Sequence, residues 1–214
     1  NEKNIKGKVK QITEKSFYVS NKFGEPVKDS LEYINVFLFD KSGNQTELQI
    51  LEENGNIYSK RKFKYDKNRN CILIQHYNND NNLSMYQENK YDEEGNQIER
   101  NYYRLDTLRY KVKMKYNNGN CIIAESYNQK GNLTEKNEKI YDTKGNCIEV
   151  KSIIDYDGYK SITTTKYKYD KNENVVESNC YDENGEFRWN SIDKIEYDSK
   201  GNWITRIYYH NSEY

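Results

Sequence analysis

The sequence predicts an all-β protein: a single long antiparallel meander of about fifteen strands, coiled or partly rolled up, built from repeats of about 26 residues that each contain two hairpins. Three observations carry that prediction. An aromatic residue followed by a tight turn, clearest as Tyr141-Asp142-Thr143-Lys144-Gly145-Asn146, recurs down the chain. Its leading aromatics are Phe39, Tyr65, Tyr91, Tyr116, Tyr141, Tyr169 and Tyr197, spaced 26, 26, 25, 25, 28 and 28 residues apart by subtraction. Leu108, Tyr110, Val112, Met114 and Tyr116 alternate strictly with Arg109, Lys111, Lys113 and Lys115, the period of a strand, and no segment sustains a 3.6-residue apolar period.

Each element follows from local chemistry. Residues 1–38 lack the repeat and read as a capping hairpin of the same sheet. Ile5 to Val19 is strand-like, Phe23 to Ser30 holds the single proline, Pro26, and Leu31 to Phe39 begins the meander. Residues 39–214 carry the repeats, with no linker or composition shift, so one domain is expected overall. Strands are expected near 45–51, 57–65, 71–77, 83–91, 97–103, 108–116, 121–127, 133–141, 147–154, 159–169, 175–181, 187–197 and 203–209. Connections this short join antiparallel neighbours, because a parallel return needs a crossover of a dozen or more residues.

In the main turn Asp142 can accept a bond from its own backbone two residues on, and Gly145 can take a positive φ without a Cβ clash. Asp40 to Gly43, Asp92 to Gly95 and Asp198 to Gly201 repeat the pattern. Arg69 and Glu173 stand where glycine is expected, and Asn117-Asn118-Gly119 is one residue short, so these three turns should be strained or differently shaped. Two registers remain open. If Tyr65 faces Asn70, then Tyr65 and Phe63 share a face with Ile72 and Ile74, joined by the column Ile98, Ile122, Ile148, Val176 and Ile204, with Lys and Glu outside. If Asp66 pairs with Asn70, Tyr65 shares its face with Cys71 and Leu73.

Composition sets the core and the partners. Only 34% of the 214 residues are hydrophobic and 32% are charged, which points to a thin core carried by 22 tyrosines whose rings bury while their hydroxyls stay hydrated. Lys plus Arg and Asp plus Glu each number 34, so no net field favours nucleic acid. No apolar run is long enough for a transmembrane helix. Cys71, Cys121 and Cys147 occupy equivalent places on alternate strands, roughly 10 Å apart at strand spacing, and read with Cys180 as packed free thiols.

Signals for chemistry are sparse. His76 and His210 lie far apart in sequence, without a nucleophile elbow, and no two cysteines have zinc-ligand spacing. The Asn- and Asp-rich turns lack the pattern of a calcium loop, and Glu99, Glu149 and Glu177 read as salt-bridge ladders. The basic stripe at 109–115, with Lys60, Lys62, Lys64, Lys166 and Lys168, reads as a solvated face. No enzyme, cofactor or metal is expected. The candidate ligand-binding residues are Trp189, Trp203, Tyr208 and Tyr209, flat rings suited to stacking on a sugar or anchoring a protein. Strand 203–209, with Ile204 and Ile207, is an apolar edge suited to a protein partner or to a homo-oligomer through edge-strand pairing.

The motifs Tyr91-Asp92-Glu93-Glu94-Gly95-Asn96, Tyr141 to Asn146 and Tyr197-Asp198-Ser199-Lys200-Gly201-Asn202 resemble the YD repeats of the RHS family, over about 39–209. The resemblance implies a continuous spiralling sheet. It also implies a small, toxin-free member that is exported, at the cell surface or periplasmic, its signal segment not part of this sequence, and that binds carbohydrate. The chain departs from the family in placing Ile one position later than the usual apolar residue, in having too few repeats for a closed shell, and in lacking an autoproteolytic C-terminal core.

Overall fold

A computed structural model describes residues 8–212. Fifteen strands follow one another: β1 Gln11–Lys22, β2 Glu25–Phe39, β3 Gln45–Leu51, β4 Ile57–Tyr65, β5 Cys71–Tyr77, β6 Leu83–Tyr91, β7 Gln97–Arg104, β8 Thr107–Asn117, β9 Asn120–Asn128, β10 Leu133–Tyr141, β11 Cys147–Tyr156, β12 Tyr159–Tyr169, β13 Val175–Asp182, β14 Phe187–Tyr197 and β15 Trp203–Ser212. They form one sheet in chain order, with β1 and β15 as its outer strands. Two compact units divide the chain, Asn1–Arg109 and Tyr110–Tyr214, and each is described by itself.

Ten of the fourteen connections share one turn. At Asp142 the backbone N–H donates to Asn146 O at 2.9 Å, and Gly145 N–H returns to Asp142 O at 3.1 Å. The Asp142 carboxylate closes the loop, taking the N–H groups of Lys144 and Asn146 on Oδ1, both at 2.9 Å, and the Asn146 amide on Oδ2 at 3.0 Å. Gly145 sits at φ +91°, the left-handed position this three-residue loop requires. Arg69 and Glu173 take that position at φ 69° and 64° with the turn's hydrogen bonds unchanged, so those turns are strained but not reshaped. Arg69 gains in return, since its guanidinium reaches the preceding turn at Asn44 Oδ1 (3.0 Å) and Ser42 O (2.8 Å). The short turn is the one that changes shape: Asn117 pairs with Asn120 across Asn118 and Gly119, both at positive φ, a two-residue hairpin turn.

Turn chemistry and apolar patterning both shape the register. Beyond the Asp66–Asn70 pair, Tyr65 faces Cys71, as the turn demands; one residue later the register shifts, leaving Ile72 as a bulge, and Phe63 then faces Ile74. Tyr65, Phe63, Cys71 and Ile74 therefore share a face, and Lys60, Lys62 and Lys64 share the other with Leu73. Every three-residue turn has such a shift beside it. The bulge overturns the expected Ile column. Ile72, Ile98, Ile148 and Ile204 each follow a turn at the extra residue and stay more than a third exposed, Ile204 at 61%.

The repeat tyrosines supply the missing order at this end of the sheet. The β5–β6 ladder begins only at Leu73, so the Cys71 carbonyl has no strand partner on that side. Tyr91 Oη donates to it at 3.0 Å, beside Asn89 Nδ2 at 2.7 Å. Tyr65 reaches Gln45 O at 2.8 Å, Tyr141 reaches Cys121 O at 2.9 Å and Tyr169 reaches Cys147 O at 2.7 Å in the same way. Each tie joins one repeat to the one before it.

Among the described residues only Val36, Val112 and Cys180 are buried apolar side chains, which is the thin core that the composition predicts. In the second unit Val112, Ser178, Cys180 and Asp193 are all buried on the tyrosine face. The four cysteines are free thiols, Cys180 the most enclosed. The β1–β2 turn is Phe23-Gly24, and Pro26 lies inside β2 opposite Asn21, where β3 has not yet begun to pair, so its missing N–H costs no ladder bond. Ile5 to Gly7 of the expected first strand lie outside the described residues.

Two outcomes follow for stability. Glu173→Gly removes the positive-φ strain and raises the urea-unfolding free energy by about 1 kcal/mol; Arg69→Gly gains less, because it also removes the ties to Asn44 and Ser42. The turn carboxylates set the acid limit. Hydrogen bonds from Asn44 to Asp40, Asn96 to Asp92, Asn146 to Asp142, Tyr197 to Asp170, Glu186 to Asp182 and Asn202 to Asp198 hold these groups below the usual carboxylate value. At Asp66 desolvation opposes the shift and is overcome by Asn70 and Asn68. Depressed folded-state values stabilise the protein fully above the unfolded pKa of about 3.9, and that stability is lost as pH falls through the folded values. Urea midpoints measured against pH should therefore stay level near neutrality and fall below about pH 4, less steeply in Asp142→Asn.

Candidate functional site

The candidate aromatics sit on β14 and β15, and the register sorts them. Tyr197 faces Trp203, Ile195 faces Arg206, Asp193 faces Tyr208 and Ser191 faces His210, all on the tyrosine face, with Trp189 next along β14. Tyr209 pairs with Ile192, and Ile207 with Lys194, on the opposite face. The structure thus brings Trp189, Trp203 and Tyr208 to one side and puts Tyr209 on the other, under the Lys194 ammonium at 5.1 Å from its ring centre. Trp203 follows the last turn and is 65% exposed.

The middle of the tyrosine-face patch is polar. Asp193 is 9% exposed, and Arg206 clamps it with both arms, Nε to Oδ1 at 3.1 Å and Nη2 to Oδ2 at 2.6 Å. The pair is diagonal across the two strands, within the reach of long side chains. It leaves a planar guanidinium, paired with a carboxylate, between Trp203 and Tyr208 along the tyrosine face of β15, and Tyr208 is 59% exposed. At the far end the His210 ring lies parallel to Tyr208 at 6.3 Å and tilted against Trp189 at 5.8 Å. Beside the patch, toward β13, the Ser178 and Ser191 hydroxyls meet at 2.6 Å. Trp189 also borders a shallow depression with Tyr159, Thr163, Cys180 and Asp182. Tyr197 differs from Tyr65, Tyr91, Tyr141 and Tyr169: its hydroxyl donates to Asp170 Oδ2 and accepts from Asn174 Nδ2.

Arg206, Asp193 and His210 were not singled out from the sequence as members of this patch. The signal was present, since Asp193 is an acid at a tyrosine-face position of β14 and Arg206 is the one Lys or Arg of β15. Only the bulge at Ile204 puts Arg206 on that face.

Other candidates lie elsewhere. His76 belongs to β5 in the first unit, where burial and then the Arg61 charge hold its pKa below the usual imidazole value. Glu99, Glu149 and Glu177 pair with Lys90, Lys166 and Lys168 at 2.9, 3.9 and 2.9 Å as surface ladders. Lys60 and Lys62 lie over the Tyr77 ring, and Lys113 over that of Tyr127. Among the described residues no group of three or more His, Cys, Asp or Glu is placed to hold a metal ion. No helix among them is long and apolar enough to cross a membrane.

No family model matches the chain, and no curated protein does. Solved structures do. In the crystal structure of TcdB2-TccC3-Cdc42 a chain superposes with a TM-score of 0.53 at 12% identity, over 94% of this chain. A porin-like protein from Bacteroides uniformis aligns over 95% of this chain and 96% of its own, at 8% identity and a TM-score of 0.48. The chain spans only 11% of the length of the first of these. At such identities the first likeness shows a shared fold, a large antiparallel sheet, and the second carries no argument.

Proposed function

We propose that this chain is a non-enzymatic, exported or cell-surface binding module of the YD-repeat type that holds a carbohydrate on the tyrosine face of β14 and β15. One observation carries the reading: Trp203 and Tyr208 stand exposed on the same face, on either side of the Arg206–Asp193 pair. Flat rings stack on the apolar faces of sugar rings, and a fixed guanidinium–carboxylate pair offers donors and acceptors to hydroxyls. Trp203 and Tyr208 are on the order of 15 Å apart at strand rise, room for a short oligosaccharide. The YD-type turns and the fold-level likeness to a chain of the TcdB2-TccC3-Cdc42 crystal structure support the family part of the reading.

A second reading, protein interaction or self-association through β15, is favoured by a different observation. Among the described residues that strand is paired on one side only, and it exposes Trp203, Ile204, Ile207, Tyr208 and Tyr209.

A glycan array followed by titration calorimetry on the hits tests the first reading. Trp203→Ala and Tyr208→Ala each weaken binding about tenfold, as expected for a lost stacking contact of about 1.4 kcal/mol, whereas Tyr209→Ala on the opposite face leaves it unchanged. Silence across the array, or an equal loss in Tyr209→Ala, sinks this reading.

A further inference from the structure

We propose that the unpaired side of β15 accepts an antiparallel strand that ends in Tyr-Asp, with the incoming tyrosine hydroxyl seated at the corner formed by the Trp203 carbonyl and the Asp198 turn. The inference rests on the second reading above and names its partner: a β-strand of this chain's own repeat type.

The sheet is assembled by a repeating rule. Gln45, Cys71, Cys121 and Cys147 each stand just after a turn, across from that turn's leading aromatic. In each case the following strand ends in a tyrosine whose hydroxyl donates to that residue's carbonyl, at 2.8, 3.0, 2.9 and 2.7 Å. Trp203 holds the same place: it begins β15, faces Tyr197 and precedes the bulge at Ile204. Among the described residues no strand follows it. The intervening case shows the neighbouring option, since Tyr197 turns to the Asp170 carboxylate of the previous turn; Asp198 is the equivalent group here.

The rest of β15 suits the same guest. Its one Lys or Arg, Arg206, is already neutralised by Asp193, so no bare cation faces an incoming strand. Apolar residues are exposed on both of its faces, Trp203 and Tyr208 on one, Ile207 and Tyr209 on the other, so a docked strand meets side-chain neighbours above and below. The other outer strand is a poorer host, because two register shifts, at Ser16/Phe17 and Phe17/Val19, break its straight run.

The test uses the full chain and a fluorescent synthetic peptide of residues 159–170, the β12 strand with its terminal Tyr169-Asp170, beside the same peptide carrying Tyr169→Phe. Anisotropy reads affinity, and hydrogen exchange with mass spectrometry reads which amides are covered. The expected result is saturable binding that slows exchange in 203–212 and is about fivefold weaker for the Phe peptide, the effect of one lost hydrogen bond. Equal affinity for the two peptides overturns the tyrosine corner while leaving β15 as an interaction edge. No slowing at 203–212, or slowing at β1 instead, overturns both.

Discussion

The hydrogen bond from a repeat tyrosine to the carbonyl that opens an earlier strand is the interaction on which this sheet depends. A three-residue turn places a bulge beside it, and the ladder to the next strand starts two residues late. That leaves a carbonyl oriented toward a gap, and an unpaired backbone acceptor is costly once it is enclosed. The tyrosine is the side chain that fills the gap with a ring and ends in a donor. A phenylalanine would fill it without offering a donor; a serine would do neither. The requirement for both explains why tyrosine, and not isoleucine, marks the period.

From that constraint the composition becomes intelligible. A sheet whose described residues include only three buried apolar side chains draws little from a deep core. Cross-strand pairs, turn carboxylates saturated by N–H donors, and the tyrosine ties must supply what a conventional core would. The opposite face, laddered with Lys and Glu, contributes solubility more than stability. The same economy makes the final strands unusual, because there the aromatic density of the tyrosine face continues with no further strand beside it among the described residues.

Much of this was legible in the chain, for a physical reason. Turn residues are chosen by local backbone sterics, so Asp142, Gly145 and their copies placed the strands closely: Gln45–Leu51, Ile57–Tyr65, Cys71–Tyr77 and Leu83–Tyr91 fall where the turns put them. Register was not legible to the same degree. The turn argued for Tyr65 beside Cys71 and the apolar pattern for Phe63 on the face of Ile74; each holds in part, because a bulge at Ile72 separates them, whereas Tyr65 does not face Asn70 and Leu73 lies on the face opposite Tyr65. No single-period reading contains a bulge. The Ile column failed for that reason alone. The arrangement of the candidate aromatics was not legible: which rings share a face, and that Arg206 reaches Asp193, depend on the bulge at Ile204.

The tyrosine ties can be observed without disturbing them. In protein labelled with 13C at the tyrosine Cζ and dissolved in equal H2O and D2O, a hydroxyl that exchanges slowly splits its Cζ signal into two lines. The account predicts resolved pairs for Tyr65, Tyr91, Tyr141 and Tyr169, whose hydroxyls are held by carbonyls, and single averaged lines for the exposed Tyr58, Tyr156 and Tyr159. Single lines for all of them would contradict it, because hydroxyls that exchange as freely as those at the surface are not joining one repeat to the next.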